Sequence, residues 1–130
     1  MLIEQSYATL PELLYTPVEP QIVSAPKLVI ANDALAAELG IERDWLHSAE
    51  ALQLLVGNAV PPHGNLIAMA YAGHQFGGFN AKLGDGRAAL WGDIPLAGGT
   101  RRGVDLKGSG RNVYSRGGDG VAPLAAMRVE

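Results

Sequence analysis

The sequence predicts an α+β fold, and three observations carry that prediction. Two short segments in the first half have the start and stop signals of helices. From residue 66 onward, short apolar runs alternate with glycine-containing turns, as in a sheet whose strands are joined by hairpins. Glycine is also unevenly placed. The 130-residue chain has 17 glycines, and only Gly40, Gly57 and Gly64 precede residue 73.

Taken in order, Pro11, Pro17, Pro20 and Pro26 keep the first segment extended, with one turn of helix expected over Pro11–Tyr15. Lys27–Ala31 (KLVIA) reads as a short strand. Asn32 can cap a helix over Asp33–Leu39, which Gly40 would stop. Ser48 can cap a second helix over Ala49–Val56, with Leu52, Leu55 and Val56 on one apolar face and Gly57 at its end. Leu66–Tyr71 (LIAMAY) is most simply a buried strand, although length alone leaves a helix open. Arg87–Trp91, Gly92–Pro95 and Val104–Lys107 are further strand candidates, with Gly98-Gly99 as a hairpin turn. Gly108–Gly120 is too rich in glycine for regular structure. A last helix is expected to begin near Val121–Pro123 and run through Leu124–Glu130, without a stop signal. That abrupt end reads as the front part of something longer. The expected organisation is an N-terminal helical and extended scaffold over residues 1–65 and a glycine-rich segment over residues 66–130.

Composition excludes several classes of protein. Hydrophobic residues make up 48% and charged residues 18%, which is neither a disordered nor a fibrous composition. The absence of cysteine removes disulfides, thiol catalysis and cysteine-ligated zinc. No apolar run reaches the ~18 residues of a membrane span, and no export signal follows Met1. A soluble protein of a reducing compartment is therefore expected, with no membrane partner. The net charge of −3 argues against a globally basic nucleic-acid binder. That charge conceals a division: residues 1–81 hold 2 basic and 8 acidic groups, residues 82–130 hold 8 basic and 5 acidic. A basic, glycine-rich half suits backbone contact with an anion, because glycine lets the chain approach closely and Arg or Lys supplies the charge.

Four stretches could carry chemistry. In Leu83–Trp91 (LGDGRAALW), Gly84 and Gly86 would let backbone N–H groups face a phosphate that Arg87 could clamp; the same Asp-Gly is also an ordinary hairpin turn. The motif lacks the ending of a P-loop, and a strand rather than a helix follows it. In Val104–Lys107, strand periodicity puts Asp105 and Lys107 on one face. A glycine loop, a strand lysine and a helix glutamate (here Glu130) are the ordered parts of a kinase-type nucleotide site, whereas any single lysine beside a turn is more often merely solvated. In Tyr114–Gly120 (YSRGGDG), Arg116 and Asp119 sit in a polar loop that could close over phosphates or serve only as a surface loop. In Tyr71–Phe79 (YAGHQFGGF), Phe76 and Phe79 could pack under the glycine loop, and His74 shows no metal-ligand spacing with His47 or His63.

Together these strings carry a resemblance. Met69–Gly86 (MAYAGHQFGGFNAKLGDG), Asp105–Arg111 (DLKGSGR) and Tyr114–Gly120 (YSRGGDG) resemble the selenoprotein O family, also known as SelO or YdiU. The resemblance runs from about residue 25 and is dense from 66 to 120. It implies a protein-kinase-like N-terminal lobe, an antiparallel sheet with flanking helices, left incomplete by a missing C-terminal lobe expected to pack on it. It also implies an enzyme that holds ATP in a flipped orientation and, with Mg²⁺ or Mn²⁺, transfers AMP to Ser, Thr or Tyr hydroxyls of proteins. By the same resemblance, Gly84, Gly86, Arg87, Lys107, Asp119 and Gly120 would contact ATP, and Glu130 would pair with Lys107. The family's catalytic Asp and metal ligands have no counterpart in these residues, so the segment alone is expected to be inactive. Two departures stand out: Val121 follows Asp-Gly where the family has Arg, and Val129 precedes Glu130 with its Arg displaced to position 128. The implied compartment is the cytoplasm of a bacterium, or the mitochondrion for eukaryotic members. One rival reading keeps the arginines at 87, 101, 102, 111 and 116 as a non-catalytic nucleotide- or RNA-binding module; another gives the glycines to turns alone.

Overall fold

The computed structural model describes residues 3–62, 64 and 66–123. It is an α+β structure built on a four-stranded antiparallel sheet. The strands are β1 (Tyr15–Val18), β2 (Leu66–Met69), β5 (Ala88–Pro95) and β6 (Arg101–Lys107), in the order β1-β2-β5-β6. Between β2 and β5 the chain forms a separate two-stranded hairpin of β3 (Gly73–Gln75) and β4 (Gly78–Asn80). Three short helices lie between β1 and β2: α1 (Asp33–Glu38), α2 (Arg43–Leu46) and α3 (Ala49–Leu55). Because β1 pairs with β2 from Tyr15↔Met69 to Val18↔Leu66, a single sheet takes strands from both sides of residue 65.

Helices α1 and α3 form where their caps require. The Asn32 side chain accepts from the Leu35 N–H, and the Ser48 hydroxyl accepts from the Ala51 N–H, satisfying donors that a helix start leaves unpaired. Each expected capping residue is in place. Helix α2 lacks a side-chain cap and has no such signature in the sequence. An exposed clamp joins it to α1: Asp33 accepts from Arg43 Nε at 2.8 Å and meets His47 Nε2 at 2.7 Å. Trp91 and Leu66 are the largest fully buried side chains. They share the core with Ile3, Val18, Ala89, Ile94 and Leu106, against which Leu39, Ile41 and Leu54 pack from the helical side.

Strand β5 is one continuous element where the sequence suggested two. It absorbs Gly92 through a bulge between Leu90 and Gly92. The N-terminal segment crosses there: Glu4 and Asp93 exchange backbone hydrogen bonds of 2.9 and 2.7 Å, and a Cβ on Gly92 would stand 2.5 Å from the Glu4 carbonyl oxygen. The Gly98-Gly99 turn joins β5 to β6 as expected, and β6 begins three residues earlier than its apolar pattern indicated.

Three expectations are corrected. Lys27–Ala31 is not a strand; it is irregular, with Val29 and Ile30 exposed. The sheet edge it might have joined is taken by Tyr15–Val18, whose Pro17 is tolerated because an edge strand need not donate outward. Phe76 and Phe79 do not pack under the glycine loop: they belong to the β3–β4 hairpin and are 97% and 66% exposed. The expected last helix does not begin at Val121–Pro123, which has no regular structure. Its remainder, including Glu130, lies outside the described residues.

Candidate functional site

The two glycine-rich stretches meet and interlock. The first, Leu83–Arg87, leads into β5; the second, Gly108–Gly120, follows β6. Asn112 ties them together, its Nδ2 donating to the Asp85 carbonyl at 2.8 Å and to the Ala88 carbonyl at 3.0 Å. The Ser115 hydroxyl donates to the Gly86 carbonyl at 2.6 Å. The backbones approach so closely that side chains are excluded: a Cβ on Gly84 would enter the Tyr114 ring, and one on Gly86 would stand 2.6 Å from Ser115 Cα. Close approach between loops, rather than turn geometry alone, is thus the reason for glycine at these two positions.

Between the loops lies an open cleft of about 380 Å³. Gly84, Gly86, Arg87, Asp119 and Gly120 all line it, joined by Asp85, Tyr114, Arg116 and Gln75. Gln75 comes from the β3–β4 hairpin and accepts from Arg116 at 2.5 Å, so the hairpin adds a wall to the cleft. Arg111 is turned inward within its own loop, donating to the carbonyls of Gly118 and Gly117. Arg101, at the far end of β6, pairs with Glu4 at 2.6 Å. Arg111 and Arg101 are thus each engaged by acceptors of the chain itself.

Lys107, at the end of β6, is not among the residues lining the cleft. Its Nζ donates to Asp85 Oδ2 at 2.8 Å, and both side chains are about one-third exposed. Asp85 Oδ1 also accepts from the Arg87 N–H at 2.8 Å, shaping the loop from within. Burial alone would push the Asp85 carboxyl up, but the hydrogen bonds from Lys107 and Arg87 outweigh it and hold it below the ordinary carboxylate range. Asp105 lies beyond the same lysine. Partial desolvation raises its carboxyl, with Lys107 opposing and Asp85 adding to the rise. Burial also raises the Tyr71 hydroxyl, with the Asp85 charge adding to it. Lys107 thus sits amid two carboxylates at the back of the first loop. Among the described residues, no group of three or more His, Asp or Glu side chains is arranged to hold a metal ion.

Of the seven positions singled out from the sequence, five line the cleft, Lys107 stands behind it against Asp85, and Glu130 is outside the described residues. Sequence reasoning missed Gln75, Asp85, Asn112 and Tyr114 as parts of the site. Asn112 and Asp85 had a local signal, since short Asx side chains beside glycines often organise loops. Gln75 had none, because its partner Arg116 lies 41 residues further along the chain.

Comparison with known proteins gives the family. Residues 2–128 fit the family model described as "Protein adenylyltransferase SelO". The chain belongs to the SelO family. Relatives named "Protein nucleotidyltransferase YdiU" are 50% identical over 124 residues in Nitrobacter hamburgensis and 52% identical over 124 residues in Anoxybacillus flavithermus, each match covering 95% of this chain. A relative of the same name in Mycolicibacterium smegmatis is 52% identical over 79% of the chain. The chain spans about a quarter of the length of these SelO-family relatives. Among the described residues, no helix is long and apolar enough to cross a membrane.

Proposed function

We propose that this chain is the nucleotide-holding part of a protein adenylyltransferase that carries AMP from ATP to Ser, Thr or Tyr hydroxyls of proteins. The observation supporting this most directly is the convergence of Gly84, Gly86, Arg87, Asp119 and Gly120 on one cleft. The residues suit a polyphosphate. Backbone N–H groups of a glycine loop can approach phosphate oxygens without a side chain intervening, and Arg87 has the planar fork that binds phosphate through two hydrogen bonds. The antiparallel sheet, with the glycine loop between its central strands β2 and β5 and a lysine at the end of edge strand β6, is consistent with a kinase-like N-terminal lobe.

In AMP transfer the hydroxyl oxygen bonds to the α-phosphorus, the bond from that phosphorus to the β-phosphate bridge breaks, and pyrophosphate leaves with its electron pair. Negative charge grows on the departing phosphates, so cationic groups held in place beforehand speed the step. Arg87 and Lys107 are the groups assigned to that task here. The base that takes the hydroxyl proton, the ligands of Mg²⁺ or Mn²⁺, and a second lobe closing on the cleft belong to the remainder of the protein that the relatives' length implies. The divalent ion would supply further charge neutralisation on the phosphates. On its own, this chain holds nucleotide without transferring it.

The test is Lys107→Ala in a protein that carries this chain together with the remainder of its relatives' length. With ATP labelled at the α-phosphate, the wild type should label protein substrates and the variant should lose at least about a hundredfold in rate, the scale of removing one preorganised charge from a transfer site. Undiminished labelling by the variant overturns the assignment of Lys107. In a parallel assay with ATP labelled at the γ-phosphate, labelled protein would replace AMP transfer with phosphoryl transfer.

A further inference from the structure

Lys107 and the cleft are separated by one carboxylate. Asp85 lines the cleft while its Oδ2 accepts from Lys107 Nζ at 2.8 Å. A polyphosphate entering between the loops would therefore meet a negative charge before reaching the lysine charge behind it. The same aspartate is anchored by its other oxygen to the Arg87 N–H and by its carbonyl to Asn112 Nδ2. Its backbone and carboxylate are thus both held in place, whereas Lys107, a long and one-third-exposed side chain, can swing away from it.

We infer that Asp85 is a counter-ion stand-in: it holds Lys107 in the ligand-free protein and gives it up to the phosphates when an anion fills the cleft. This deepens the reading of the cleft as a nucleotide site and rests on it. The physical basis is competition. A polyphosphate carries several negative charges and many acceptor oxygens, so it outbids a single half-exposed carboxylate for an ammonium group. Until then, Asp85 holds the ammonium group near the place where it will be needed. The arrangement makes Asp85 a positioning residue whose charge opposes binding while it orders the lysine.

Asp85→Asn separates these two effects. Asparagine retains an Oδ1 that can accept from the Arg87 N–H, so the loop keeps its internal bond, but the charge is gone. Calorimetric titration of the wild type and variant with ATP and with inorganic tripolyphosphate gives the decisive comparison. Loss of the competing charge should tighten tripolyphosphate binding about two- to fivefold, the range expected for one partly screened ion pair. Unchanged or weaker binding by a variant that still melts cooperatively overturns the inference and makes Asp85 a purely structural residue. Should the variant fail to fold, the wild type still decides. The Asp85 carboxyl, followed by carbon NMR across a pH titration, should move up toward the ordinary carboxylate range when tripolyphosphate is added, and an unmoved titration overturns the exchange. The ATP arm keeps the two readings apart. Tighter tripolyphosphate binding without any ATP binding would leave the exchange standing and remove the nucleotide reading. ATP binding that Lys107→Ala weakens but Asp85→Asn does not strengthen would do the reverse.

Discussion

At the scale of single residues, the glycines divide by what surrounds them. Gly98 has nothing within 4 Å of where a Cβ would stand, and its φ of +83° serves the turn before β6. Gly120 combines a φ of +72° with a Cβ position that overlaps the Gly110 carbonyl. Replacement by alanine should distinguish them in chemical denaturation. Gly98→Ala is expected to cost about 1 kcal/mol, from backbone strain alone. Gly120→Ala should cost more than about 2 kcal/mol, because the loops must also part, and it should weaken anion binding in the cleft. Equal costs for the two would mean that the second loop gives way freely. The sequence marked both positions as glycine, and it could not say which neighbour forbids a side chain. Gly110 and Gly120 are ten residues apart in the chain, and only the closed loop brings them together.

At the scale of elements, local chemistry was readable and partner choice was not. Helices α1 and α3 begin where Asn32 and Ser48 supply an acceptor three residues ahead, a relation contained within four residues of sequence. Asn32→Ala and Ser48→Ala should each lower stability by about 1 kcal/mol, measured by urea unfolding. Loss well below a few tenths would mean the helices are held by packing alone. Strands have no such self-contained signal. Lys27–Ala31 has the apolar, β-branched composition of a strand and forms none, whereas Tyr15–Val18, interrupted by Pro17, pairs with β2 along its whole length. A strand is stabilised by its neighbour, and which segment reaches the open edge is settled by the path of the chain. The hairpin of β3 and β4 carries a weakened local signal, because its turn places Phe76 at a φ of +53°, where glycine or asparagine would be the expected residue.

For the molecule as a whole, the unusual surface is apolar. Ile22, Val23, Leu28, Val29 and Ile30 are all exposed, Ile30 by 85%, along the irregular stretch that precedes α1. Clustered exposed apolar side chains favour association. Val29→Ser with Ile30→Ser should reduce self-association of the purified chain in sedimentation velocity at high protein concentration, without lowering its melting temperature. A wild type that sediments as a monomer throughout would show that this stretch carries no association surface.

The sequence by itself determined the α+β class, the two capped helices and the β5–β6 turn, and it singled out Gly84, Gly86, Arg87, Asp119 and Gly120, which line the cleft. These are properties of residues acting on near neighbours, or of strings specific enough to carry a family. Only the tertiary structure decided that β1 and not residues 27–31 completes the sheet, that Gln75 meets Arg116 across the cleft, and that Lys107 faces Asp85 rather than the open space between the loops. Those outcomes depend on which groups meet across 22 residues of chain or more. At such separations burial, loop closure and competition among charges choose the partner, and none of these is written in any single stretch of sequence.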